Sequence, residues 1–440
     1  MSSYWAAYAW LPDGCQAGVS FDVEEGRFAR VRVGVEPRAD QQILSGVTLP
    51  GLANGHSHAF HRVLRGRTHA GGGSFWTWRQ QMYALAARLD PDSYLALARA
   101  VFVEMAQAGY TVVGEFHYLH HDQHGRRYSD SNAMGRALIQ AASEAGIRLT
   151  LLDACYLAGG LTATGHLPLD AVQARFSDGD VDHWQARVAQ LTEADRIRIG
   201  GAVHSVRAVP AEALGRIGEA TGERPLHVHL SEQPAENAAT RAFYGRTPTE
   251  LLDDHSLLGR RTTAVHATHL TDTDIKTLGG SQTSACFCPT TERDLADGIG
   301  PARRLASAGS PLTLGSDQQA VIDPFEEMRD LELHERLATG DRGCFTPGDL
   351  IMIGSAAGYR SLGWPEGGRI ADGTFADFVV VRLNSVRTTG ATPDQIVFAA
   401  TAADVDHVVV GGQVIVRDGQ HQIGSPARLL TAALDQLGAV

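Results

Sequence analysis

Short apolar runs alternate with longer amphipathic stretches from about residue 48 to residue 317. This is the pattern of repeated βα units, in which buried parallel strands read as continuous hydrophobic segments and the helices between them carry one apolar face. Eight strands are predicted, over VTLPGLANGH (47–56), 111–118, 148–155, 196–205, 224–232, 261–269, 281–289 and 310–317. Helix-like segments such as 90–109 and 130–146 lie between them, the first opened by Asp90 as cap and Pro91 at the first helical position. Eight strands with intervening helices predict an α/β fold, a (β/α)8 TIM-like barrel over residues 48–366.

The flanks follow a different period. Residues 1–47 and 367–420 hold short alternating strands broken by Gly and Asp turns, and neither flank is long enough to bury a core alone. The two chain ends are therefore expected to meet in one small composite β-sandwich domain beside the barrel. Residues 421–440 read as a C-terminal helix with its leucines and alanines on one face.

Composition narrows the partners. Of 440 residues 43% are hydrophobic and 20% charged, enough apolar material for a large core. The net charge of −12 and the lack of a basic run argue against a nucleic-acid groove. No run reaches the ~18 apolar residues of a membrane span, and the N-terminus lacks a signal pattern, so a cytoplasmic protein with a small-molecule partner is expected. Five cysteines form no paired framework and read as reduced thiols, with Cys286 and Cys288 as small buried hydrophobes.

Reactive residues cluster where the strands are predicted to end, the pole at which barrels of this kind place their sites. His56 and His58 end the first strand; on an extended backbone side chains at i and i+2 project to one side, so both imidazoles can reach one cation. Glu115, His117 and Tyr118 fall at the end of the second strand, His204 of the fourth with Arg207 close behind, His229 of the fifth followed by Glu232, His266 of the sixth and Asp317 of the eighth. Three imidazoles and a carboxylate make a nitrogen and oxygen sphere suited to one divalent ion, Zn2+ above others, so His56, His58, His229 and Asp317 are the expected ligands. Water on such an ion ionises at a pKa of about 7 and becomes a nucleophile. Asp317 is expected to act as base as well as ligand, Glu232 to carry the proton to a leaving nitrogen, and His266, preferred to His269, to polarise the developing charge. The chain's only lysine, Lys276, falls in a helix after the sixth strand, so no lysine stands at the end of the fourth to bridge a second metal.

The H-x-H stretch, HVHLSEQ (227–233), AVHATHL (264–270) and LTLGSD (312–317) together resemble the mononuclear deaminase branch of the amidohydrolase superfamily. PGLANGHSHAFHR (50–62), FWTWRQQMY (75–83), GEFHYLHH (114–121) and HSVRAV (204–209) narrow the likeness to the formimidoylglutamate deiminases, over nearly the whole chain. That resemblance implies hydrolysis of N-formimidoyl-L-glutamate to N-formyl-L-glutamate and ammonia in histidine degradation. It implies a dicarboxylate substrate contacted by His61, Arg79, Tyr118, His204 and Arg207, and a homodimer. Guanidinium forks suit two carboxylates. The alternative within the superfamily is a deaminase or chlorohydrolase of a heterocycle such as guanine, a pterin or a triazine. One departure is Gln318, where the family commonly has serine after the aspartate; a bulkier amide there is expected to alter the pocket.

Overall fold

The computed structural model describes residues 2–69, 73 and 75–438. Residues 1, 70–72, 74, 439 and 440, which fall within the expected end domain, barrel and terminal helix, lie outside the described residues.

Eight parallel strands form the barrel in sequential order: β1 (Leu52–Ser57), β2 (Tyr110–His117), β3 (Arg148–Cys155), β4 (Ile197–Ser205), β5 (Leu226–Leu230), β6 (Thr262–His266), β7 (Ser284–Phe287) and β8 (Leu312–Leu314). β2 and β3 are buried at every position, as strands covered on both faces must be. The helices between them start and stop on local signals. Asp90 and Ser93 form a reciprocal capping box at the start of the helix Pro91–Ala108, and Gly109 ends it in the left-handed region.

Strands β5, β6 and β8 are shorter than their apolar runs predict. The chain turns out of the sheet where Ser231, His266, Ala267 and Asp317 take positive φ of 51°, 69°, 49° and 42°, outside the extended region that a continuing strand needs. The ring closes between β8 and β1 through a parallel bridge of Ser57 with Asp317, flanked by Asp317 N–H to His56 O and His58 N–H to Asp317 O, both 3.0 Å. Asn54 and Ser316 add two further bonds across the seam, of 2.6 and 3.0 Å. A Cβ on Gly315 would stand 2.7 Å from the His56 carbonyl oxygen, so only glycine lets the strands approach this closely.

The expected first strand, 47–56, divides at Gly51. Its first part ends the strand Gln42–Pro50, which belongs to a second eight-stranded sheet, and its second part is β1. A Cβ on Gly51 would lie 2.5 Å from Thr111 Oγ1 and 2.8 Å from Tyr359 Oη. The second sheet draws on both chain ends: Gln42–Pro50 pairs parallel with Ser2–Leu11 and antiparallel with Phe378–Val381. Its own apolar cluster is built round Tyr4, Phe21, Phe28 and Phe378, whose rings lie 5.2–6.1 Å apart. Asp377 ties it to the barrel: the buried carboxylate accepts from Arg148 Nε and Nη2 at 2.7 and 3.2 Å, from Tyr359 Oη at 2.7 Å and from Gly411 N at 2.6 Å.

The last helix, Pro426–Gln436, lies against Pro91–Ala108. All five cysteines are free, and Cys286 and Cys288 are buried. Among the described residues no helix is long and apolar enough to cross a membrane.

Candidate active site

At the C-terminal pole the tips of β1, β5 and β8 bring His56, His58, His229 and Asp317 together. His56 Nε2 lies 3.1 Å from both His58 Nε2 and His229 Nε2, and His58 Nε2 lies 3.4 Å from His229 Nε2. Asp317 Oδ1 is 3.4 Å from His56 Nε2 and 3.5 Å from His58 Nε2. Donors placed tetrahedrally 2.0–2.1 Å from an ion stand about 3.3–3.4 Å from one another. The separations of 3.1–3.5 Å therefore fit a single zinc-sized ion.

The electrostatics fit too. Burial lowers the pKa of His56, and burial with the neighbouring imidazoles holds His58 and His229 well below the ordinary range, so the rings are neutral and able to ligate. His58 Nδ1–H donates to Phe116 O at 2.9 Å and His229 Nδ1–H to His204 O at 2.8 Å, which fixes the tautomer with the Nε2 lone pairs facing inward. Burial alone would raise the Asp317 carboxyl. The polar His56 and His58 rings and the charged His266 beside it more than offset this and keep Asp317 ionised.

Around this cluster opens a cavity of about 290 Å3, lined by His58, His229 and Asp317 and by the expected Glu232, His266, His61, Arg79, Tyr118, His204 and Arg207, while His56 is fully buried behind the lining. His266 Nε2 stands 3.7 Å from Glu232 Oε1 and 3.9 Å from Asp317 Oδ2. Burial opposes its charge, but Glu232, Glu292 and Asp317 hold its pKa well above normal. Glu232 sits on the turn after β5, ahead of the helix Pro234–Tyr244, where Ser231 bends the chain; burial raises its pKa.

The remaining expected contacts divide into two groups. His61 Nε2 pairs with Tyr118 Oη at 3.0 Å, its ring 4.6 Å from that of His58, and burial pushes its pKa down to about 3. His204 ends β4 with its ring 4.5 Å from Tyr156. Arg207 is partnered by carboxylates, its Nη2 3.4 Å from Glu232 Oε2 and its Nε 3.6 Å from Glu236 Oε2. Arg79, on the helix Phe75–Ala86, instead donates from Nε to Tyr83 Oη at 2.8 Å and lies over the Trp76 and Tyr83 rings.

Two expectations are corrected. Strand alternation turns Phe116 toward the His56, His58 and His229 rings and Tyr118 toward the cavity, and Glu115 and His117 toward the outer layer. Glu115 there accepts from Ser57 Oγ and Ala59 N, both at 2.6 Å, and His117 packs near Tyr94 and His120. Gln318 does not line the cavity either. Its Nε2 donates to Asp294 Oδ2 at 2.8 Å, away from the site, because the left-handed turn at Asp317 reverses the side to which the next residue points.

Several residues that sequence reasoning missed complete the arrangement. Glu292, in the first turn of the helix Pro289–Asp294 after β7, takes His266 Nδ1 at 3.3 Å and Cys288 N–H at 2.8 Å. Gln319 Nε2 donates to Ser57 Oγ and Asp317 O, both at 2.9 Å, bracing the seam behind the carboxylate. Tyr83, Tyr156 and Gln173 surround Arg79. Tyr83 lay in a motif already singled out; Tyr156, Gln173 and Gln319 come from loops or short turns, and Glu292 from a short helix, whose sequences carry no spacing signal. Another group of possible donors, His117, His120 and Asp153, lies outside the cavity, with Asp153 already held by both Nη atoms of Arg187 at 2.8 Å and by Trp184 Nε1 at 2.9 Å.

Strand-tip imidazoles and an aspartate at one pole of a (β/α)8 barrel, beside a sheet drawn from both chain ends, define a hydrolase barrel fitted for a divalent ion. The amidohydrolase family model matches residues 47–415, and the chain belongs to that family. It is 35% identical over 439 residues to the formimidoylglutamate deiminase of Pseudomonas aeruginosa, covering 96% of each chain. It is 27% identical over 411 residues to the 5'-deoxyadenosine deaminase of Methanothermobacter thermautotrophicus, covering 91% of this chain and 90% of that one. Among solved structures, an amidohydrolase from Brucella melitensis superimposes with a TM-score of 0.92 at 32% identity, covering 99% of this chain and 100% of the other.

Proposed function

We propose that the protein is a formimidoylglutamate deiminase: water adds oxygen to the formimidoyl carbon of N-formimidoyl-L-glutamate, the bond from that carbon to the terminal nitrogen breaks, and N-formyl-L-glutamate and ammonia result. The observation that carries the reading is that one cavity joins the His56, His58, His229 and Asp317 donor set to two guanidinium groups, Arg79 and Arg207. Two cations beside a hydrolytic centre match a substrate that carries two carboxylates next to the bond to be cleaved. The 35% identity to a formimidoylglutamate deiminase over nearly the full length supports it.

His56, His58, His229 and Asp317 would hold the divalent ion, zinc by the chemistry of the set. Bound there, the ion supplies a Lewis acid and lowers the pKa of water from 15.7 to about 7. Asp317 Oδ2, the oxygen turned toward His266, takes the proton of the attacking water. Glu232 Oε1, buried and 3.7 Å from His266 Nε2, delivers a proton to the departing nitrogen. His266, backed by Glu292, stabilises negative charge as it grows on the oxygen added to the reacting carbon. His61 and Tyr118, paired with each other, close the wall beside His58 and orient the substrate.

A second reading draws on the aromatic walls, Trp76, Trp78, Tyr118 and Phe176 among them, which also suit a flat ring, and on the likeness to a nucleoside deaminase. The test is ammonia release from N-formimidoyl-L-glutamate by the zinc-loaded protein, with Asp317→Asn as blank. Release that the substitution abolishes supports the deiminase. No release, with turnover of 5'-deoxyadenosine or another ring amine, overturns it in favour of the second reading.

A further inference from the structure

We propose that Glu236 is a positioning residue that acts through Arg207: it sets how much of the guanidinium charge is left for a substrate carboxylate, so that a carboxylate bound at this end brings a proton to Glu236. The inference rests on the dicarboxylate reading above and adds the group that controls it.

Glu236 is the third residue of the helix Pro234–Tyr244. An acid in a first turn is ordinarily exposed, where water and the helix dipole keep it charged. Glu236 is instead buried against the cavity it lines, and among the described residues neither of its oxygens has a well-formed hydrogen bond. The cation beside it is Arg207, whose Nε stands 3.6 Å from Oε2, too far for a hydrogen bond. The same guanidinium faces Glu232, with Nη2 3.4 Å from Oε2. One fixed cation thus stands between two buried carboxyls.

With both carboxyls ionised the group carries a net negative charge, which repels a substrate carboxylate from the residue that is to hold it. Glu232 cannot settle that balance, because it exchanges a proton in the proposed reaction. Glu236 has no step there, so its proton is free to follow binding alone. Burial, with the charge of Glu232, outweighs the pull of Arg207 and of the nearby Ser231 and Glu232 N–H groups and pushes the Glu236 carboxyl up to about 7. A carboxylate placed on Arg207 adds a further negative charge and raises it again. By linkage, binding takes up a proton from solvent, and affinity falls as the pH rises above 7.

The charged groups that face Glu236 are Arg207, from the segment after β4, and Glu232, from the turn ahead of its own helix. The strand Gly160–Thr162 packs on that helix, and its hairpin partner Gly165–Leu167 brings His166, held between Arg207 O at 3.2 Å and Tyr244 Oη at 2.8 Å. Burial lowers the His166 pKa, so the ring is neutral in this range. On the adjoining helix Pro248–Asp254, Glu250 caps the Thr247 N–H, Asp254 pairs with Arg246 and Asp253 is exposed.

The experiment is calorimetry of glutarate, a dicarboxylate with no bond to cleave, on the zinc-loaded protein in two buffers of different ionisation enthalpy, which counts the protons taken up. For a rise of about one pKa unit on binding, uptake of about half a proton is expected near pH ~7.5, and Kd should increase about tenfold from pH ~6 to ~9. Glu236→Gln is neutral at every pH. Its uptake is expected to vanish and its Kd to stay near the wild-type value at pH ~6, so that at pH ~9 the variant binds about tenfold more tightly than wild type. A purely structural role predicts weaker binding by the variant at every pH. Binding without proton uptake by the wild type, or uptake that persists in the variant, overturns the proposal, and the wild-type arm decides even where the variant fails to fold. No glutarate binding at any pH overturns the dicarboxylate reading and this proposal with it. Uptake that the variant loses, without turnover of formimidoylglutamate, would sink the proposed reaction and leave the Glu236 role standing.

Discussion

The two ends of the cavity are built by different means. The inner end rests on strand tips: His56, His58, His229, His266 and Asp317 project from β1, β5, β6 and β8 or the turns that leave them, and the backbone there is locked across the seam between β1 and β8. His266 and Asp317 both sit at positive φ, a conformation that costs on the order of 1–3 kcal/mol per residue and persists where the surroundings over-determine it. The outer end rests on a helix and loops, with Arg79 on Phe75–Ala86 and Gln173 on the short turn Gln173–Phe176. Its order comes from side-chain hydrogen bonds rather than from the sheet. Chemistry that tolerates little displacement is thus placed on the rigid scaffold, and recognition on the segments that differ most easily between relatives with different substrates.

If that division holds, substitutions at the inner end should act on kcat and those at the outer end on KM. The largest effect is expected from Asp317→Asn, which removes the proposed ligand and the proposed base together. A loss in kcat on the order of 10^4 is expected, with bound zinc, measured by mass spectrometry, falling below one equivalent. Retention of turnover would mean that another group takes the proton.

Arg207 stands at the boundary between the two regimes, since it contacts Glu232 and Glu236 as well as the cavity. Arg207→Met is expected to lower kcat/KM on the order of 10^2, through both parameters, because it strips Glu232 of a partner as well as the substrate of a cation. Arg79→Met should give a slightly smaller loss, carried by KM alone. Equal partition of the two losses between kcat and KM would dissolve the distinction between the ends.

The same division explains what could be read from the chain. The barrel was legible because its strands are buried on both faces and its helices carry caps, as at Asp90 and Gly109. His56, His58, His229, His266 and Asp317 were legible because each ends an apolar run, so position along the chain implied position at the pole. Alternation within a strand was the finer rule that separated Phe116 and Tyr118 from Glu115 and His117. Tyr156 and Gln173, which lie beside Tyr83 and Arg79, were out of reach, since a loop residue held by side-chain hydrogen bonds leaves no period, spacing or cap to mark it. The break of the first predicted strand at Gly51 was hidden as well, because an unbroken apolar run looks the same whether one sheet buries it or two.

The smallest effect is expected at Gln318, and it tests whether nearness in sequence to the reacting groups implies nearness in function. The residue follows Asp317 directly, yet the turn at Asp317 sends its amide to Asp294, on the far side from the cavity. Gln318→Ser gives up one partly buried hydrogen bond, about 0.5–1.5 kcal/mol of stability, and leaves the lining untouched. KM and kcat should both stay within about twofold of wild type, the thermal midpoint falling by a few degrees at most. A large change in KM would show that Asp294 and the segment Ala59–Leu64 transmit the side chain's presence to the cavity wall, and the outer end would then begin closer to the metal-facing carboxylate than its hydrogen bonds imply.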